Sequence, residues 1–299
     1  MTTIKAFIKS RPLLCYYALV FAISWGGVLL VIGGPNAIPG TEEQFERLLP
    51  FAILALLAGP PIAGILLTSL LYGRAGFRDL LARITRWRVG ARWYAIALLT
   101  APLSMTAALL ALSLTSPVYL PGILTTSDKV SMVLFGIAVG LIGGGFLEEL
   151  GWTGFAIPRL LARHSVLATG LIVGVLWGAW HVLTNALWAS GSSLGAGELS
   201  LAGFLIVRSF DLLVGQLLAY RVLMVWIYER SGGSLLVAIL MHASLTASTL
   251  ILGPLAISGA ALLTYVLVSS AAMWVVVGMV AMAQGGHLSR QPPLRGRVD

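Results

Sequence analysis

Of the 299 residues, 58% are hydrophobic and only 10% are charged, against roughly 25% charged in an average soluble domain, which excludes a soluble globular protein and places the chain in a bilayer. The net charge of +8 would suggest a nucleic-acid partner in a soluble protein; here the basic residues cluster between apolar runs, and no nucleic acid is expected. Cys15 is the single cysteine, so an intrachain disulfide and a cysteine-based metal site are both excluded.

A span needs about 20 apolar residues to cross roughly 30 Å of hydrocarbon. Hydropathy predicts eight of them, at about 13–33, 50–72, 93–115, 131–157, 165–188, 201–227, 234–252 and 258–282. The expected fold is all-α: a polytopic membrane protein of about eight transmembrane helices with an intramembrane cavity, one integral membrane domain over residues 1–299. The first apolar stretch is long and lacks a small-residue cleavage site, so no cleavable signal peptide is expected. With the N-terminus inside, the inner segments hold Lys5, Lys9, Arg11, Arg74, Arg78, Arg83, Arg86, Arg88, Arg92, Arg159, Arg163, Arg230, Arg290, Arg295 and Arg297, and the outer loops only Arg47 and Lys129. That bias predicts a multi-pass protein of a prokaryotic cell membrane with both termini cytoplasmic.

The stretch from Gly73 to Arg92 interleaves Leu80, Leu81, Ile84 and Trp87 with arginines. It reads as a topology signal, with contact to the anionic inner leaflet as the alternative. The acidic segment Thr41–Glu46 reads as a solvated outer loop and Arg290–Asp299 as a flexible tail. No internal repeat argues for an inverted-repeat transporter.

The fourth span carries two adjacent carboxylates, Glu148 and Glu149, in a run fit for lipid. Each costs roughly 2.5–3.5 kcal/mol on insertion scales, which calls for a function. Gly136, Gly140 and Gly144 form a row four residues apart, with Glu148 next in it; Gly170, Gly174 and Gly178 repeat the device in the fifth span, followed by His181. Small residues at this spacing let membrane helices approach closely. Packing of the two rows would make Glu148 and His181 neighbours, with Glu149 turned about 100° away. A rise of about 1.5 Å per residue puts Glu148 and His242 some 12–14 Å from the inner side and His181 nearer 24 Å. His164 and His287 lie outside the spans and receive no role. A carboxylate and two imidazoles can deprotonate water and hold an oxyanion. In the sixth span, Arg208 and Asp211 are spaced to pair, Arg208 alternatively meeting a substrate carboxylate, and Arg221 is expected to snorkel to the headgroups.

Glu148-Glu149-Leu-Gly-Trp152 with Gly-Phe-Ala-Ile-Pro-Arg-Leu160, then Trp177-Gly-Ala-Trp-His181, then Ser-Leu-Leu before His242, resembles the CPBP family of CAAX-type and bacteriocin-processing intramembrane endopeptidases, also called the abortive-infection family. The resemblance extends from about residue 73 to 250, with the motif-bearing core at about 130–252. It implies a protease in which Glu148 activates water and Glu149 supports it, Trp177 and His181 form the second motif with His181 holding the water, and His242 stabilises the oxyanion. Two positions depart: Thr153 stands where the family has arginine, and Thr246 where it has asparagine. Arg159 is a candidate for the missing charge and Asn185 for the missing amide. Glu148, His181 and His242 could supply the three ligands of a zinc site, so the cofactor expectation is none or zinc. A peptide, lipidated or of leader type, is the expected substrate, with membrane lipids as further partners. The rival readings are a catalytically silent immunity or scaffold relative, motivated by Thr153 and Thr246, and a proton-coupled transporter using the carboxylates as a relay.

Overall fold

The computed structural model describes residues 3–38, 40–189, 199–285 and 288, and the predicted tail with His287 lies outside them. The protein is an all-α polytopic membrane protein with eight segments long and apolar enough to cross a bilayer. We label its main helices α1 (Pro12–Ile32), α2 (Glu42–Ile84), α3 (Ala91–Ser113), α4 (Lys129–Leu161), α5 (Val166–Trp188), α6 (Leu201–Leu213), α7 (Gln216–Arg230), α8 (Leu235–Leu252) and α9 (Gly259–Ala283). The predicted sixth span is α6 and α7 together, broken at Val214–Gly215. The break is held from α9, where the Trp274 indole donates to the Val214 carbonyl at 2.8 Å and Ser270 Oγ accepts from the Gln216 amide at 3.1 Å.

In hydrocarbon every backbone group must find a partner inside the protein, and proline removes the donor that the carbonyl four residues earlier would use. Three such carbonyls are taken up by side chains from other helices. Pro60 frees Leu56, whose oxygen accepts from Ser24 on α1 at 2.6 Å. Pro102 frees Leu98, whose oxygen accepts from Ser244 on α8 at 2.8 Å. Pro158 frees Gly154, whose oxygen accepts from Arg83 at the end of α2, at 2.9 Å. Kinks and helix contacts are therefore specified together. Ser24 is fully buried, and Ser24→Ala is expected to cost about 1–3 kcal/mol, the range for stranding a buried polar group; an unchanged thermal midpoint in detergent would refute this account of the α1–α2 contact.

Two segments outside the predicted spans are helical, one of them against the expectation of a solvated loop. The acidic segment at 41–46 opens α2, because Thr41 and Gln44 form a reciprocal capping box, with the Gln44 amide donating to Thr41 Oγ1 at 3.2 Å and the Thr41 amide to Gln44 Oε1 at 3.0 Å. The basic stretch after Gly73 continues α2 beyond a kink, which glycine permits at φ 53°. Its Leu80 packs on Leu235 and Ile239, Arg83 also pairs with Asp79 at 2.9 Å, and Arg86 donates to the Gly232 carbonyl. This stretch ties the ends of α4 and α7 to the start of α8, while Leu81 and Trp87 stay exposed.

The glycine rows do not pack on each other. A β-carbon at Gly136 would meet Ile251, one at Gly140 the Ala243 carbonyl at 2.5 Å, and one at Gly144 His242 Nε2 at 3.1 Å, so the row on α4 lies along α8. The row on α5 faces the other way: Gly170 against Val222, Gly174 against Leu218 and Arg221, Gly178 against the Leu212 carbonyl. The helix α4 is itself irregular. Its middle runs as π-helix over Gly140–Glu148 and again over Trp152–Ala156, where bonding to the fifth residue shifts the register of every side chain that follows.

Candidate active site

Both carboxylates are buried, Glu148 at 5% exposure and Glu149 at 0%; Glu149, expected to turn away from the helix contact, instead meets α8 through His242. Glu149 is fully spent on neighbours. Its Oε1 accepts from Arg221 Nη1 at 2.8 Å and from His242 Nδ1 at 2.7 Å, and its Oε2 accepts from the Thr153 hydroxyl one turn along. Glu148 has a lighter load, with Oε2 accepting from the Trp177 indole N–H at 2.7 Å. His242 Nε2 stands 4.0 Å from the same oxygen. Since a carboxylate only accepts, His242 Nδ1 carries a proton, and in the neutral imidazole Nε2 presents its lone pair toward Glu148.

Trp177 is the hub of the aromatic shell. Its ring makes edge contacts with His181 at 5.4 Å and His242 at 5.0 Å between centroids, and the Arg221 guanidinium carbon lies 3.8 Å from its centroid. His181 does not bond Glu148 among the described residues: its Nδ1–H donates to the Trp177 carbonyl at 2.8 Å, and its ring also packs on Trp180. The neighbour of Glu148 on α5 is thus Trp177, one turn before the residue the sequence suggested. Asn185 donates to the His181 carbonyl at 2.9 Å and accepts from Arg208 Nε at 3.0 Å, and Arg208 pairs with Asp211 at 3.3 Å. The Arg208–Asp211 pair is as expected; Asn185 is engaged in that chain and its amide does not turn to the carboxylates.

The expected substitute for the missing arginine is also different. Arg159 donates to the Phe155 carbonyl and stacks on Phe155 and Tyr72, at 3.7 and 4.9 Å from the ring centroids. Arg221, expected at the headgroups, is fully buried and supplies the cation to Glu149. Its signal in the sequence was an arginine with no acidic residue three or four positions away on its own helix. Thr246 lies near His242 on the side facing Gly144, since a β-carbon at Gly144 would run into its hydroxyl as well as His242 Nε2.

Zinc in the expected set needs three side chains converging on one point at about 2.0–2.2 Å. Among the described residues no three His, Cys, Asp or Glu side chains are gathered in that way, and His181 is committed to Trp177, so the residues as placed do not fit that ion. The expected intramembrane cavity is not seen around the carboxylates; an apolar hollow of about 270 Å³ lies between α3, α4 and α8, lined by Leu98, Pro102, Ile137, Leu141 and Ala243, among others, and neither carboxylate lines it.

Residues 130–248 match the family described as type II CAAX prenyl endopeptidase Rce1-like. No curated protein matches the chain.

Proposed function

We propose that the chain, whose residues 130–248 match the Rce1-like type II CAAX prenyl endopeptidases, hydrolyses a peptide bond within the membrane, with Glu148 activating the water. The observation that carries this reading is the 4.0 Å separation of Glu148 Oε2 and His242 Nε2. It is too long for a direct hydrogen bond and suits one water held by both acceptors. As the water oxygen bonds to the carbonyl carbon, Glu148 takes one proton and His242 Nε2 orients the other. The oxyanion accepts from the Thr246 hydroxyl, which replaces an amide as the donor. Glu148 then returns its proton to the amide nitrogen as the C–N bond breaks, leaving a new carboxyl terminus and a free amine. His181 acts through Trp177, whose carbonyl and ring it contacts. The route needs no metal ion.

The substrate class follows from the surroundings. The apolar hollow between α3, α4 and α8 is large enough to seat part of a lipid chain, which supports a lipidated peptide, with a membrane-bound leader peptide as the other member of the class. The arginine bias supports a multi-pass cell-membrane protein with both termini in the cytoplasm. Reconstituted protein is expected to cut a prenylated C-terminal or leader-type peptide, and Gly144→Ala to lose roughly 10²-fold in kcat, because the added methyl displaces groups at the gap by about 1 Å. Failure to cut either class refutes the reading; equal rates for wild type and Gly144→Ala move the reaction away from this gap.

A further inference from the structure

We infer that Arg221 is a positioning residue for both carboxylates, acting on Glu149 directly and on Glu148 through the Trp177 indole; this rests on the endopeptidase reading above. Its side chain is 0% exposed, and taking a guanidinium out of water costs several kcal/mol that geometry must offset. Among the described residues its one acceptor is Glu149 Oε1, at 2.8 Å. That same oxygen accepts from His242 Nδ1 at 2.7 Å, so fixing it also fixes the imidazole with its Nε2 lone pair toward Glu148. The flat guanidinium lies 3.8 Å from the Trp177 ring centroid, and Trp177 in turn donates to Glu148 Oε2 at 2.7 Å. One side chain therefore bears on Glu149 and Trp177 directly and, through them, on His242 and Glu148.

The fold is arranged to admit it. Gly174 lets α7 approach α5 closely next to Arg221, since a β-carbon there would run into Leu218 Cδ1. The break at Val214–Gly215, pinned by Trp274 and Ser270, gives α7 a register independent of α6 and turns Arg221 inward. No cation on α4 competes for Glu149: Thr153 offers a neutral hydroxyl, and Arg159 faces Phe155 and Tyr72.

The test compares wild type with Arg221→Met, Arg221→Lys and the double variant Arg221→Met/Thr153→Arg in reconstituted vesicles. Arg221→Met is expected to lower kcat by roughly 10- to 100-fold, the usual effect of removing an orienting partner, with KM unchanged. The double variant is expected to recover most of kcat, because an arginine one turn from Glu149 on α4 restores the cation without refilling the space on α7. Arg221→Lys keeps the charge and loses the planar stack on Trp177; it is expected to fold with reduced kcat, and wild-type kcat there overturns the route through Trp177. A second readout needs no substrate. A buried carboxylate without its cation takes up a proton, and a hydrophobic carbodiimide attacks protonated carboxyl groups. Label mapped by mass spectrometry is expected on Glu149 in Arg221→Met and not in the wild type or the double variant. That labelling pattern in proteins that cut nothing leaves the role of Arg221 standing and overturns the endopeptidase reading. Wild-type kcat in Arg221→Met, or an unlabelled Glu149 in it, overturns the inference.

Discussion

Glu148→Gln is expected to abolish cleavage for practical purposes, lowering kcat by roughly 10²- to 10⁴-fold, the usual contribution of a general base, with no change in the thermal midpoint. Glutamine has the same shape, and its amide oxygen can still accept from the Trp177 indole, now 2.7 Å from Glu148 Oε2. What is lost is the capacity to take a proton from water. Glu149 cannot take over, because one of its oxygens already accepts from Arg221 and His242 and the other from Thr153. The adjacent carboxylates thus differ in function through their partners, one saturated and one with acceptor capacity to spare. Turnover in vesicles and thermal unfolding in detergent measure the two halves of this expectation. A variant keeping about a tenth or more of the wild-type rate would fall outside the range for a lost base and assign the proton transfer elsewhere.

The sequence carried the spans and the motif residues far better than it carried their partners. Hydropathy is a property of one segment and its bilayer, so eight spans were legible, whereas which helix a glycine row faces depends on turns that composition does not report. The π-helical turns at Gly140–Glu148 are the decisive case, since a 3.6-residue period applied across them assigns Glu149 to the wrong face. Depth was more informative than period. The rise per residue set His181 about 24 Å from the inner side, deeper than Glu148, and Trp177, one turn before it on α5, is the residue that reaches Glu148. Arg221 was misread because a basic residue near the end of an unbroken span can reach the headgroups. The break at Val214–Gly215 starts a new helix and leaves Arg221 inside the bundle, where only a carboxylate from another helix could balance it.

Glu149→Gln is expected to be the most destabilising conservative change at the site, by about 3–5 kcal/mol, because it leaves the Arg221 cation buried and unpaired. The reciprocal change, Arg221→Met, is expected to cost much less. A stranded carboxylate can take up a proton and keep its bonds to His242 and Thr153, but a guanidinium cannot give one up. Removing both charges in Glu149→Gln/Arg221→Met should therefore be milder than Glu149→Gln alone, and thermal unfolding of the four proteins measures the order. If the two single variants are equally unstable, the pair is held by shape rather than charge, and the asymmetry argued here is wrong. If the order holds, replacing the pair costs the fold little while each charge alone is a liability. A buried ion pair of that kind adds little net stability, and what it does provide is a fixed Glu149 oxygen, on which the orientation of His242 and the geometry of the gap beside Glu148 both depend.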